Sequence, residues 1–263
     1  MSTLIRDYER FAKEAKEICK GRVYTDHLRR YAYGVDASCY SYLPKVVVKA
    51  EDEHEVRRLI RLCQQCGTPF TFRAAGSSLS GQCSSEDVLI VCNDGFKKME
   101  VIDDGKALKC ECGVIGSDAN DLLKPYNRKI GPDPATLATA LVGGILNNNS
   151  SGMCCGTAQN SYKTIRSIRV VLLDGSILDT SDQKSIDQFL KEKPQMVEDI
   201  LQLRKDILAD EELTHLIHHK YKIKNTTGYG LNSLVDFEDI IDIINHLFIG
   251  SEGTLGFVSE IVY

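Results

Sequence analysis

Residues 46–82 constrain the fold more tightly than any other stretch. Val46 to Lys49 is an apolar run of strand length. Asp52 and Glu55 follow in capping-box spacing, and Val56, Leu59, Ile60 and Cys63 then recur at helical intervals. Gly67 stands where a left-handed residue ends such a helix. Pro69 to Phe72 reads as a second strand. Strand, helix and strand in so short a span make a βαβ unit, because parallel strands need such a crossover. The second strand runs into Arg73-Ala74-Ala75-Gly76-Ser77-Ser78-Leu79-Ser80-Gly81-Gln82, a loop of small residues. Small side chains let a loop turn its N–H groups outward, and glycine permits close ligand approach. The loop therefore reads as a cradle for a pyrophosphate.

Two phosphate chemistries are excluded at once. Gly76-x4-Gly81 has P-loop spacing, but Gln82-Cys83 replaces Lys-Ser/Thr, which removes NTP hydrolysis. Neither this loop nor Gly228-Tyr229-Gly230 completes the Gly-x-Gly-x-x-Gly of nicotinamide dinucleotide sites.

The rest of the chain alternates strands and helices. Leu4 to Lys20 is an amphipathic lead helix, and Tyr31 to Tyr42 is aromatic and irregular. Val88–Cys92 and Ala107–Cys112 read as strands and Ser117–Leu123 as a helix. Gly131-Pro132-Asp133-Pro134 must be loop, and Gly143–Asn148 has room for a helical turn or two. Ile165–Leu173 is a strand that turns back at Asp174-Gly175 into Ser176–Leu178. Ser185–His219 is mostly helical, Ile240–Phe248 is another helix, and Phe257–Tyr263 is a strand.

With 263 residues, 43% hydrophobic and 26% charged, the chain can bury a sizeable core in one or two domains. A net charge of −5 weighs against nucleic acid as the partner. No apolar run approaches the roughly 20 residues of a transmembrane segment, and the charged stretch Met1–Lys20 is no secretory signal. A cytoplasmic setting is expected, with the ten cysteines as reduced thiols. Cys63-x-x-Cys66 has no second pair, and Cys110/Cys112 and Cys154/Cys155 are wrongly spaced for zinc or a cluster. With one of its cysteines facing the core at a helix end, the CxxC is not expected to be redox-active. His215, His218 and His219 read as a solvated helix face, without the glutamate of a His-Glu-x-x-His site.

Four further loops are small, rigid or backbone-exposing. They are Gly131-Pro132-Asp133-Pro134-Ala135-Thr136, Gly143-Gly144-x-x-Asn147, Ser150-Ser151-Gly152 and Gly250-Ser251-Glu252-Gly253-Thr254-Leu255-Gly256. In order and content, these and the Arg73–Gln82 loop closely resemble the FAD-binding domain of the vanillyl-alcohol oxidase/p-cresol methylhydroxylase (PCMH) superfamily. The likeness is tightest to the branch of D-lactate, glycolate and D-2-hydroxyglutarate dehydrogenases. It spans Asp36 to Tyr263, with Ala74-Ala75 where that branch commonly has glycines.

The resemblance implies an α+β, PCMH-type fold of two α/β lobes with FAD between them. It divides the chain into a lead segment at 1–30, a first lobe at 31–105 and a second at 106–263. Ala75, Gly76, Ser77, Ser78, Leu79, Gly81 and Gln82 are expected at the pyrophosphate and nearby flavin. Pro132, Asp133, Thr136, Gly143, Gly144, Asn147, Ser151 and Gly152 are expected along the isoalloxazine and ribityl chain. Ile165, Gly253, Thr254, Leu255 and Gly256 are expected over the adenine and ring edges. FAD is expected to be noncovalent, since the phosphate loop has no histidine and Cys154 and Cys155 are better read as buried thiols. Lys224-Asn225-Thr226-Thr227-Gly228-Tyr229 resembles a family segment that either places polar groups near the flavin or joins the lobes. The implied activity is hydride transfer from a small 2-hydroxy acid to FAD, with an electron-acceptor protein or quinone as a further partner. The catalytic residues and the cap domain that binds substrate are expected beyond Tyr263, so the chain reads as an inactive part of a longer enzyme. The alternatives are a flavin oxidase or cell-wall precursor reductase of the same fold, and a non-catalytic domain that docks a nucleotide or a partner.

Overall fold

The computed structural model describes residues 6–226 and 228–263. The chain opens with helix α1 (Tyr8–Ile18), whose face Phe11, Ala12 and Ala15 is buried. Leu4 and Ile5, expected at its start, lie outside the described residues. Strand β1 (Val23–Tyr24) and helix α2 (His27–Ala32) follow. Sequence periodicity misses both. Helix α2 is six residues long and buries none of them, and what starts it is the Asp26 side chain, which accepts the Arg29 N–H at 3.0 Å.

The first sheet holds β1, β2 (Val46–Lys49), β4 (Val88–Val91) and β3 (Phe70–Arg73), in that order. Helix α3 (Glu53–Cys66) links β2 to β3 and ends at Gly67 with φ +63°. The predicted parallel arrangement is present, but β4 slots between the two strands that α3 connects. This insertion shapes the site. Since β3 and β4 are adjacent and parallel, residues 74–87 must themselves be the crossover. They contain no helix, so the phosphate loop is a crossover made of bare backbone.

The second sheet is antiparallel, in the order β5 (Met99–Ile102), β6 (Ala107–Glu111), β9 (Gly256–Val262), β7 (Ser167–Leu172) and β8 (Ile177–Asp179). The last strand in sequence is thus the middle strand of its sheet. It carries the loop before it, residues 250–255, to the centre of the molecule. Short helices α4 (Gly116–Leu123), α5 (Val142–Asn147) and α6 (Ser161–Thr164) lie between β6 and β7. The stretch read as one helical region is three helices, α7 (Gln183–Glu192), α8 (Pro194–Ala209) and α9 (Glu211–Lys220), broken at Lys193-Pro194 and Asp210. Helices α10 (Ser233–Asp236) and α11 (Ile240–Leu247) complete the layer.

The two sheets share a core. Phe257 of β9 stacks within 5.0 Å of Phe72 and 5.2 Å of Phe96. Above it, Arg169 of β7 pairs with Glu53 of α3 at 2.9 Å, and Ser259 donates to the same carboxylate at 2.7 Å. Cys63 and Cys66 are both buried, and burial pushes the Cys63 thiol up to about 12. His215, His218 and His219 are all exposed. No helix of the described residues is long and apolar enough to cross a membrane.

Candidate flavin site

A cleft of about 1050 Å³ lies between the two sheets, at the upper end of the range of ligand sites. One wall is the phosphate loop. Arg73 holds it in place by donating to Tyr33 O at 2.9 Å and Val35 O at 2.7 Å, so its guanidinium is spent on backbone. Gly76 has φ +73°, and a Cβ there would stand 2.5 Å from Arg73 Nη2. The backbone N–H groups of Ala75–Leu79 donate to no other described residue. A row of free backbone donors suits a pyrophosphate.

The facing wall is α5 with the asparagine run after it. Helix α5 passes close to the phosphate loop at Gly144, where even an added Cβ would stand 3.4 Å from Ala74 Cβ, in ordinary contact. Asn147 donates to Gly143 O at 2.8 Å and accepts from Ser251 Oγ at 3.2 Å, which ties α5 to the closing loop. At the open end, Asp133 accepts the N–H of Gly152 at 2.9 Å and of Cys155 at 3.2 Å. Bonds from the Cys155 thiol and from these two N–H groups hold the carboxyl at about 2, so it is ionised. A Cβ on Gly152 would stand 2.0 Å from Asp133 O, so this junction of two loops requires glycine.

The cleft brings together Ala75–Leu79, Gln82, Asp133, Thr136, Gly143, Gly144, Asn147, Ser151, Gly152, Gly253 and Gly256. Five expected residues do not line it. Gly81 packs under Tyr40, and Pro132 is buried behind Asp133. Ile165 and Leu255 pack into the second core, and Thr254 donates to Ser251 O at 2.7 Å. Cys155 is buried as expected, but Cys154 is exposed on the cleft, because its loop turns outward beside the fully exposed Met153.

Three lining residues escape the sequence reading or are only half anticipated. Lys224 reaches in and donates to Ser151 O at 2.6 Å, while Thr227 of its segment lies outside the described residues. Asn148 and Glu252 meet at 2.6 Å, and Gln82 joins them at 3.1 Å. Glu252 could have been noticed as the one acid inside a glycine motif, but phosphate logic looks for donors and passes over a carboxyl. Gln82 Oε1 and Ser151 Oγ are buried without partners among the described residues, two polar atoms waiting for a ligand. Free loop donors, orphaned polar atoms and a cleft of this size fit a flavin dinucleotide.

The comparisons agree with that fit. Residues 44–181 match the model of a family described as FAD binding domain. The chain belongs to that family. Its cofactor is FAD. It is 26% identical over 247 residues to D-2-hydroxyglutarate dehydrogenase of Pantoea ananatis, an alignment covering 91% of this chain and 24% of that protein. It is 24% identical over 219 residues to D-lactate dehydrogenase of Archaeoglobus fulgidus, covering 82% of this chain and 37% of that one. The chain therefore spans about a quarter of the length of the D-2-hydroxyglutarate dehydrogenase it matches. Among solved structures, an alkyldihydroxyacetonephosphate synthase superposes with a TM-score of 0.64 at 18% identity, over all of this chain and 41% of the other. That likeness supports the PCMH-type α+β fold alone.

Proposed function

We propose that this chain is the FAD-binding part of a flavin-dependent D-2-hydroxyacid dehydrogenase. The observation that carries the reading is the cleft between the sheets, where the phosphate loop, the Asp133 loop and the closing loop converge. The names of the relatives supply the substrate class, a D-2-hydroxy acid oxidised to a 2-oxo acid. Bound FAD supplies the hydride acceptor. The chain's own residues hold and orient it. Ala75–Leu79 receive the pyrophosphate on backbone N–H groups, and Asp133, bonded to Gly152, keeps the ring wall in register. Lys224, anchored on Ser151, places the cleft's one ammonium not paired with a carboxylate among the described residues. The division at 1–30, 31–105 and 106–263 belongs to the proposal. The hydrogen bonding of Met99–Ile102 to β6 argues for placing the lobe boundary before residue 99.

The groups that bind the substrate carboxylate and take its hydroxyl proton are assigned to the part of the relatives' length that this chain does not match. So is the contact with an electron-acceptor protein or quinone. FAD is held noncovalently, in a cytoplasmic enzyme. The test has two parts. Purified chain titrated with FAD should quench flavin fluorescence to saturation, and denaturation should release all the colour. The full-length protein should reduce a dye with D-2-hydroxyglutarate, D-lactate or glycolate, and L enantiomers should be inert. Turnover of L acids alone, or none with any hydroxy acid, refutes the assignment.

A further inference from the structure

Glu252 is a carboxyl placed where a phosphate site has no evident use for one. Its backbone lies in the left-handed region, φ +54°, and its N–H is fixed on Asn147 O at 2.9 Å. One oxygen, Oε1, accepts from Asn148 Nδ2 at 2.6 Å and from Gln82 Nε2 at 3.1 Å. The phosphate loop, the asparagine run and the closing loop thus meet on one acid. The amide of Gln82 spends its N–H on Glu252, which leaves Gln82 Oε1 buried without a partner among the described residues.

The charged and titratable groups of the surrounding elements are committed elsewhere. Arg73 is bound to the carbonyls of Tyr33 and Val35, and Cys83 donates to Asp36 at 3.2 Å. Cys92 and Cys112 are buried, with thiols pushed up by burial. Asp133 is engaged by Gly152 and Cys155, and Lys224 by Ser151 O. Cys154 is exposed. No cation lies against Glu252 among the described residues, and burial raises its carboxyl above the ordinary range while the amides of Asn148 and Gln82 hold it down.

We propose that Glu252 is a neutral carboxylic acid in the FAD complex, that with the Gln82 amide it forms a donor and acceptor pair for the dinucleotide, and that wherever the free carboxyl is ionised FAD therefore binds together with up to one proton. The inference rests on the chain binding FAD in this cleft. The pyrophosphate stays doubly ionised wherever carboxyls titrate, and an ionised Glu252, with no cation against it among the described residues, would add a like charge to the same cleft. Protonated at Oε2, Glu252 keeps both amide bonds on Oε1 and gains a donor. Gln82 Oε1 supplies the matching acceptor. Such a pair suits a ring edge that has an N–H beside an acceptor, as both the isoalloxazine pyrimidine edge and the adenine amino edge have.

The sign follows from linkage. Affinity is greatest below the carboxyl's value in the free protein. It then falls by up to about tenfold per pH unit until the value in the complex is passed. The experiment measures FAD affinity by fluorescence quenching from about pH 5 to about pH 9, and proton uptake by calorimetry in buffers of different ionisation enthalpy. Wild type should show the fall and take up as much as one proton. Glu252→Gln, a permanent copy of the neutral acid, should bind FAD as tightly at high pH as at low, and more tightly than wild type at high pH. A merely structural glutamate would instead give weaker binding on substitution at every pH. Thermal melts check that the variant folds, and Glu252→Ala, without the donor, should bind weakly and without pH dependence. FMN and ADP as separate probes assign the pair: uptake with FMN places it on the flavin edge, uptake with ADP on the adenine edge. Failure of wild type to bind FAD at any pH refutes the flavin reading itself. Binding without proton uptake, or uptake that persists in Glu252→Gln, overturns this proposal alone.

Discussion

Asp133 and Glu252 are carboxyls in one cleft with opposite electrostatics. Asp133 is surrounded by donors, so its charge is stabilised, whereas Glu252 is half-buried against amides with no cation against it among the described residues. For Asp133 the linkage sign is that of a depressed acid. Its contribution is present above the unfolded value near 3.8 and is lost as pH falls through about 2. Because the group is partly exposed, Asp133→Ala should cost about 1 kcal/mol near neutral pH by denaturant melts. Asp133→Asn, which keeps an acceptor for Gly152, should cost less. Equal losses would mean that charge and not hydrogen bonding holds the junction. Asp133 was legible in the sequence because it sits between two prolines in a recognisable loop. Glu252 was not, since its role depends on Asn148 and Gln82, 104 and 170 residues away. Gly76 illustrates a further limit. Gly76→Val cannot isolate ligand approach, because φ +73° and the neighbouring Arg73 mean that it strains the loop even without ligand.

At the level of elements, local signals located most of the framework and long-range pairing decided the rest. Strand β2 and helix α3 fall within a residue of expectation, because an apolar run and a capped amphipathic face are local properties. Nothing local says that β4 enters between β2 and β3, or that β9 takes the centre of the second sheet. Those two insertions turn residues 74–87 into a bare crossover and aim residues 250–255 at it. The Glu53–Arg169–Asp179 cluster fastens helix α3 to the second sheet at 2.9 and 3.2 Å. Arg169 is about a third exposed, which weakens the pairing, but its removal takes from the less exposed Glu53 the one cation hydrogen-bonded to it among the described residues. Arg169→Ala should therefore destabilise by about 1–2 kcal/mol in urea melts. Arg169→Lys should recover only part of this, because the ammonium cannot fork across Glu53 and Asp179 together. Full recovery by lysine would reduce the cluster to simple charge.

Across the whole molecule, FAD is expected to act as a fastener between sheets that already share a core at Phe72, Phe96 and Phe257. The loops proposed to bind it come from both sheets, so the ligand would tie the two together. At a free FAD concentration of 100 times Kd, mass action adds about 2.7 kcal/mol of stability. For a chain of this length that corresponds to a rise in Tm of about 5–10 °C. The transition should also sharpen, because the sheets can no longer loosen separately. Differential scanning calorimetry with and without FAD reads both effects. Two transitions that persist at saturating FAD, with only one of them shifted, would mean that the dinucleotide contacts a single lobe, and would sink the placement of the site between them. If the Glu252 proton is taken up on binding, the Tm increment at fixed FAD must also shrink as pH rises through the titration of that carboxyl, and in Glu252→Gln it must not.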